Sequence, residues 1–338
     1  MKRRWIRYGI AVVLAAVVAG GYFAFRYYRS TAVMRDGVVL VPTGSDFGQL
    51  CDSLSASGLL GNEKKFERLA RMRKLDRAVR PGRYALEAGT TYAELIDRLR
   101  AGLQSPVRVT FNNVRTLDRL AGSVSRRIEP DSATLAETLT DPATAERYGY
   151  TPQTFMAMFV PDTYEMYWNC SAGDFLDRMK RESDRFWKER EAKLARSGLS
   201  REEAVTLASI VYEETKKKEE MPRVAGVYVN RLRRSMPLQA DPTVKFALGD
   251  FSIRRVLFAH LEVDSPYNTY KHAGLPPGPI CMPSIAAIDA VLDFEAHDYL
   301  YFCAKDDLSG AHVFARTLPE HNRNAQAYAR ALNRRGIR

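Results

Sequence analysis

An α+β fold carrying one N-terminal membrane-spanning helix is what this 338-residue sequence predicts, on three observations. Five short runs have strand character, at 37–42, 83–86, 107–111, 299–304 and 312–315. Longer stretches with apolar residues at helical spacing lie among them, so strands and many helices are interspersed along the chain. An uncharged run from Tyr8 to Phe25 precedes them all.

That run holds 18 apolar or small residues and reaches about 27 Å as a helix, close to the thickness of a bilayer's hydrocarbon. Lys2, Arg3, Arg4 and Arg7 precede it, Arg26 closes it, and Trp5, Tyr8, Tyr22, Tyr27 and Tyr28 sit where interfacial aromatics belong. The positive flank places the N-terminus in the cytoplasm and everything after Arg29 outside. A cleaved signal peptide is the competing reading, but Val17-Val18-Ala19 before Gly20 is a poor cleavage site and the run is long for a signal peptide's apolar core. An uncleaved anchor is expected.

Length allows two modest domains, and 46% apolar with 27% charged residues is ordinary for a folded chain. Residues 1–30 carry six Lys/Arg and no Asp/Glu, which leaves +5 of the net +11 for the rest (11 − 6). Those remaining cations form no aromatic-studded stripe, so nucleic acid is not indicated, and an anionic wall polymer suits them as readily. Cys51, Cys170, Cys281 and Cys303 show no CxxC. A Cys281–Cys303 pairing is open, and free, buried thiols are expected.

Past a short polar stretch, Gly37–Pro42 reads as a strand and Thr43-Gly44-Ser45-Asp46 as turn and cap. A helix to Ser57 buries Phe47, Leu50, Cys51 and Leu54, and a second covers Glu63–Leu75 before Pro81-Gly82 turns into the strand Arg83–Leu86. After the strand Val107–Phe111, helical segments fall near 116–128 and 133–150. Pro161 interrupts the pattern at Phe159–Glu165. A long amphipathic helix then spans 172–196, with Phe175, Met179, Phe186 and Leu194 among its apolar positions.

The candidate chemistry starts at Ser200-Arg201-Glu202-Glu203, a capping box that opens a helix. Ala204, Leu207, Val211 and Glu214 share one stripe of it. A carboxyl group at the end of an apolar face loses hydration, so its pKa should rise toward that of a general acid working near neutral pH. Glu213, about 100° round the helix, reads as a more solvated charge. The bland reading of Glu214 is a partly buried, ion-paired helix residue. The next helix has Val224, Val227, Tyr228, Val229 and Leu232 at core spacing, with Arg231, Arg233 and Arg234 near its C-terminus, where the dipole favours cations.

Three irregular stretches follow: Leu238–Val244, Pro266–Tyr270 and Gly274–Ile280. They project amides, hydroxyls and phenols from Pro- and Gly-stiffened loops, which is what a polyhydroxylated ligand requires. Helix 284–294, two strands and helix 319–333 complete the chain. His260, His272, His297, His312 and His321 form no HExxH, so no metal is expected, and neither S-x-x-K nor Gly-x-Ser-x-Gly is apparent.

The segments "LASIVYEET", "VYVNRLRRSMPLQADPTVKFALG", "SPYNTYKHAGLPPGPI" and "YLYFCAKDDLSGAHVFARTLPEHNRNAQAY", with "PDTYE" at 161–165, resemble the YceG-like (MltG) endolytic murein transglycosylases. The stretches around "VPTGSDFGQLCDSLSASGLL" and "PGRYALEAGTTYAELIDRLRAG" resemble a LysM-type glycan-binding module. The family resemblance implies a cytoplasmic N-terminus (1–7), an anchor (8–25), a linker (26–36), a LysM-like subdomain (37–104) and a mixed α/β catalytic domain (105–338). It implies cleavage of MurNAc–GlcNAc bonds in nascent peptidoglycan, leaving 1,6-anhydro-MurNAc ends, with no cofactor. The family's catalytic Glu falls on Glu214, although members often have a polar or acidic residue where this chain has Tyr212. Gln239, Asp241, Thr243, Tyr267, Asn268 and Tyr270 are expected to hold the sugar's acetamido and hydroxyl groups. Glycan strands, the cytoplasmic membrane, penicillin-binding proteins and other wall-synthesis proteins are the partners implied. The runner-up is a non-catalytic, peptidoglycan-binding scaffold of the wall-synthesis machinery.

Overall fold

The computed structural model describes residues 2–253 and 255–335, and of the first seven side chains only that of Trp5. The basic side chains Lys2, Arg3, Arg4 and Arg7, on which the expected topology rests, therefore lie outside the described residues, as do Met1 and 336–338 at the limits of the expected regions. The first helix, α1 (Lys2–Tyr28), contains an exposed stretch of 21 residues, Tyr8–Tyr28, with mean hydropathy 2.0, long and apolar enough to cross a membrane.

The chain divides into two compact units. In the first, β1 (Gly37–Val41) pairs antiparallel with β2 (Gly82–Leu86), from Gly37 opposite Leu86 to Val41 opposite Gly82. Between them lie α2 (Phe47–Ser57) and α3 (Glu63–Met72), and α4 (Tyr92–Ala101) follows. Asp46/Gln49 and Thr91/Glu94 close capping boxes on α2 and α4, and Gly58 and Gly102 stop them in the left-handed region. Val39, Val41, Leu50, Leu54, Phe66, Tyr84, Leu95 and Ile96 make one core. Residues 30–33 do more than connect: Ala32 and Val33 are fully buried, and Thr31 and Val33 bridge to Thr91 and Leu60.

A second two-stranded sheet joins β3 (Val107–Phe111) to β4 (Asp162–Met166), the latter a strand absent from the sequence reading. Pro161 stands just ahead of this strand rather than breaking it, where its missing N–H costs no ladder bond. Between these strands, α5 (Leu117–Val124) is followed by α6 (Ser132–Thr140) and α7 (Pro142–Arg147), not by one helix over 133–150. Asp141 precedes Pro142 and is pushed to ψ 120°, so it ends α6 and caps α7 at once.

The long helix of 172–196 is likewise two, α8 (Ala172–Glu189) and α9 (Glu191–Ser197). At the break, Arg190 donates to Asp289 at 2.7 Å and lies over the Phe186 ring at 3.8 Å. Then α11 (Met221–Arg233), α12 (Asp241–Leu248) and α13 (Ile285–Leu292) pack around α10 (Arg201–Glu214), whose residues Ala204–Val211 are all buried. Half of the "irregular" stretch 238–244 thus begins a helix, with Pro242 in its first turn. The hairpin of β5 (Tyr301–Ala304) and β6 (His312–Ala315) packs on α14 (Leu318–Arg334). No disulfide forms among the described residues; Cys281 is buried, and Cys51, Cys170 and Cys303 are half-buried.

Candidate active site

The Ser200/Glu203 capping box starts α10 as the sequence requires, and Glu214 is its last helical residue. A carboxylate there opposes the negative end of the helix dipole, a poor choice for stability alone. Glu214 is half-buried and lines a cavity of about 320 Å³ with Tyr228, Arg231, Leu238, Gln239, Asp241, Tyr270, Tyr301, Phe302, Leu318 and His321. Burial pushes its carboxyl up to about 7, helped by the Asp241 and Glu213 charges and opposed by Tyr228 and Lys245.

Tyr228 Oη donates to Glu214 Oε1 at 2.9 Å. The buried phenol, facing the Glu214 charge, is held well above its ordinary pKa and remains a donor at neutral pH. That bond engages Oε1 of the carboxyl and leaves Oε2 as the other oxygen available to carry a proton. Glu213 corrects the expectation of a solvated charge. Its side chain is 15% exposed, and it pairs with Arg115 at 2.7 Å and Lys216 at 3.3 Å.

The loops are tied to one another before any ligand arrives. Arg231 Nη1 donates to the carbonyls of Pro237 and Leu238, and Gln239 takes a positive φ of 51°. Gln239 N donates to Thr269 O at 3.0 Å, and Ala240 N to Thr269 Oγ1 at 3.0 Å. The Pro-rich loop hooks onto α10 through Ile280 N donating to Ser209 Oγ at 3.0 Å.

Of the residues chosen from sequence, Gln239, Asp241 and Tyr270 join Glu214 in the cavity. Tyr270 Oη donates to Asp241 Oδ1 at 2.6 Å, so a second carboxylate faces the same space. Three others lie outside the lining. Thr243 is fully buried and bonds Thr269 Oγ1 and Ala240 O. Asn268, also fully buried, donates to Leu261 O and Val263 O and accepts from Tyr270 N. Tyr267 packs on Phe246 with ring centroids 4.7 Å apart. These three shape the loops that carry the lining.

Tyr228 and Arg231, read from sequence as a core position and a dipole-complementing cation, are cavity residues. The available signal was the stripe Val224–Tyr228–Arg231 at i, i+4 and i+7, which places a cation on an apolar face. Tyr301, Phe302 and His321 come from elements distant in sequence and carried no local signal. Among the described residues, no three or more His, Cys, Asp or Glu gather as a metal site.

The YceG-like family profile matches residues 39–327. This chain belongs to the YceG-like family. An endolytic murein transglycosylase of Bacillus subtilis is 27% identical to it over 344 residues, covering 94% of this chain and 92% of that relative. A Streptococcus pneumoniae protein of the same name is also 27% identical over 93% of this chain, which spans 63% of its length. The crystal structure of a YceG-like protein from Listeria monocytogenes superposes with a TM-score of 0.56 at 27% identity, covering 86% of this chain and 99% of that one.

Proposed function

We propose that this YceG-like chain is a membrane-anchored endolytic lytic transglycosylase, cutting MurNAc-β-1,4-GlcNAc bonds of nascent peptidoglycan with Glu214 as general acid and base. The observation that carries the reading is Glu214 itself, raised by burial to about 7 at the wall of a polar, aromatic cavity. The activity is that of the named Bacillus and Streptococcus relatives. Such a site needs no protein nucleophile. Glu214 Oε2 passes its proton to the bridging oxygen as the C1–O bond breaks, and the MurNAc C6 hydroxyl attacks C1 from within the same sugar. The C6 hydroxyl proton returns to the carboxylate, which regenerates the acid and closes the 1,6-anhydro ring. Gln239, Asp241 and Tyr270 hold the sugar's polar groups, while Thr243, Tyr267 and Asn268 hold the loops.

Asp241 makes hydrolysis the competing chemistry, because paired carboxylates about 5–9.5 Å apart also serve hydrolytic glycosidases. Mass spectrometry of digested, uncross-linked glycan strands decides: anhydro ends support the lyase, and reducing ends the hydrolase. Loss of cleavage with retained binding in Glu214→Gln assigns the acid. A wild type that binds strands but cuts none favours the scaffold. The remainder of the reading is an anchor at 8–25 with its N-terminus in the cytoplasm, a LysM-like subdomain at 37–104 and an extracytoplasmic catalytic domain from 105 onward. Penicillin-binding proteins and other wall-synthesis proteins are the partners that this placement brings within reach.

A further inference from the structure

Arg231 is 8% exposed and lines the cavity that holds Glu214. Its Nε donates to Leu300 O at 2.7 Å. Its Nη1 donates to Pro237 O at 3.1 Å, Leu238 O at 3.0 Å and Gln239 Oε1 at 3.3 Å. The guanidinium lies 5.1 Å from the centroid of Tyr301, which stacks in turn on His321 at 5.5 Å. These contacts hold the group rigid. They satisfy Nε and Nη1 with neutral oxygens, so they spend donors without cancelling the charge. Among the described residues, no carboxylate pairs with Arg231, and Nη2 has neither a protein acceptor nor a place among the sealed, unpartnered atoms. A buried guanidinium left without a counter-charge is costly. One that keeps a free nitrogen open on a cavity is built to receive an acceptor from outside.

We propose that Arg231 is a substrate-recognition residue whose Nη2 donates to an amide carbonyl oxygen of the glycan; this rests on the transglycosylase reading of the same cavity. A guanidinium can only donate, and an amide oxygen can only accept, whereas a sugar hydroxyl does both and gains less from such a partner. The bond is charge-assisted and forms in a space shielded from water. The repeating unit offers two such oxygens: the 2-acetamido carbonyl and the amide carbonyl joining the lactyl group to the peptide stem. Arg231 serves a substituent and not the reacting carbon, because a fixed positive charge beside C1 would oppose the cationic character that develops there. Glu214 and Asp241 supply the opposite sign.

The test compares substrates within each variant, so a partial loss of folded protein cancels. The full chain in detergent digests three sets of uncross-linked strands: native, chemically de-N-acetylated, and stripped of their stems with the freed lactyl carboxylate reduced to the alcohol, so that no carbonyl oxygen remains there. Ratios of kcat/KM are taken for wild type, Arg231→Lys and Arg231→Gln. The wild type should prefer the strand bearing the recognised amide by roughly 10- to 100-fold, as expected for a hydrogen bond to a charged group. Arg231→Gln should bring that ratio close to one, and Arg231→Lys should retain part of it. Collapse of the native to de-N-acetylated ratio assigns the acetamido oxygen. Collapse of the native to stem-free ratio assigns the lactyl amide. If both ratios are unchanged in both variants, Arg231 only braces residues 237–239 and the proposal is overturned. A wild type that cuts none of the strands overturns the transglycosylase reading, and this one with it.

Discussion

Replacing Glu214 by Gln should cost activity and return stability, with a pH dependence that identifies the cause. The folded carboxyl sits near 7, against an ordinary value of 4.5. With the folded pKa raised, the group's contribution to stability is fully present below about pH 4.5 and is lost as pH rises through 7. A shift of this size corresponds to about 3 kcal/mol at most, and solvent in the cavity reduces that to about 1–3 kcal/mol. The Gln side chain carries no such penalty and still accepts the Tyr228 bond. Its stability relative to wild type should therefore climb between pH 4.5 and 8 by about 1–3 kcal/mol, several degrees in Tm for a chain of this size. Cleavage should fall by about 10²–10⁴-fold, the usual worth of a general acid. Parallel thermal melts in detergent and strand digestion across that pH range measure both. A stability difference that stays flat from pH 4.5 to 8 would show that Glu214 is not desolvated, and undiminished cleavage would remove it from the chemistry.

Tyr228→Phe removes the bond that lowers the Glu214 pKa, so the alkaline fall in cleavage should move to higher pH while kcat drops about 10-fold from lost orientation. A pH–rate profile whose alkaline limb stays in place would refute this. Asn268→Ala leaves Leu261 O and Val263 O without their donor and should cost about 2–3 kcal/mol in urea unfolding. A loss below about 0.5 kcal/mol would mean that the loop is held by other contacts. Gly278→Ala drives a Cβ onto Gln153 O, a backbone atom that cannot swing aside. The Pro-rich loop must shift, and a loss of about 1–3 kcal/mol in thermal melts with weakened cleavage is expected; an unaltered melting curve would show that the loop has slack.

Much of this protein is written in local pattern. The apolar run of α1, the boxes that open α2, α4 and α10, and the stripe ending at Glu214 depend on residues within a few positions of one another, so the chain alone determined them. The α+β class followed from the same reading, which also picked out Glu214, Gln239, Asp241 and Tyr270, four residues that line one cavity. The tertiary structure decided which way the remaining polar groups face. Asn268 and Thr243 look like sugar ligands in sequence, yet they turn inward, because buried backbone groups at 240, 261, 263 and 270 need partners. Strand β4 exists because β3 is there to pair with it, and the long helix breaks at Arg190, whose side chain meets Asp289, 99 residues away. Tyr228 and Arg231 became cavity residues only when α11 packed beside α10. Capping and periodicity are energies of neighbours along the chain, whereas the direction of a loop's side chain is settled by whichever distant group would otherwise be buried unsatisfied.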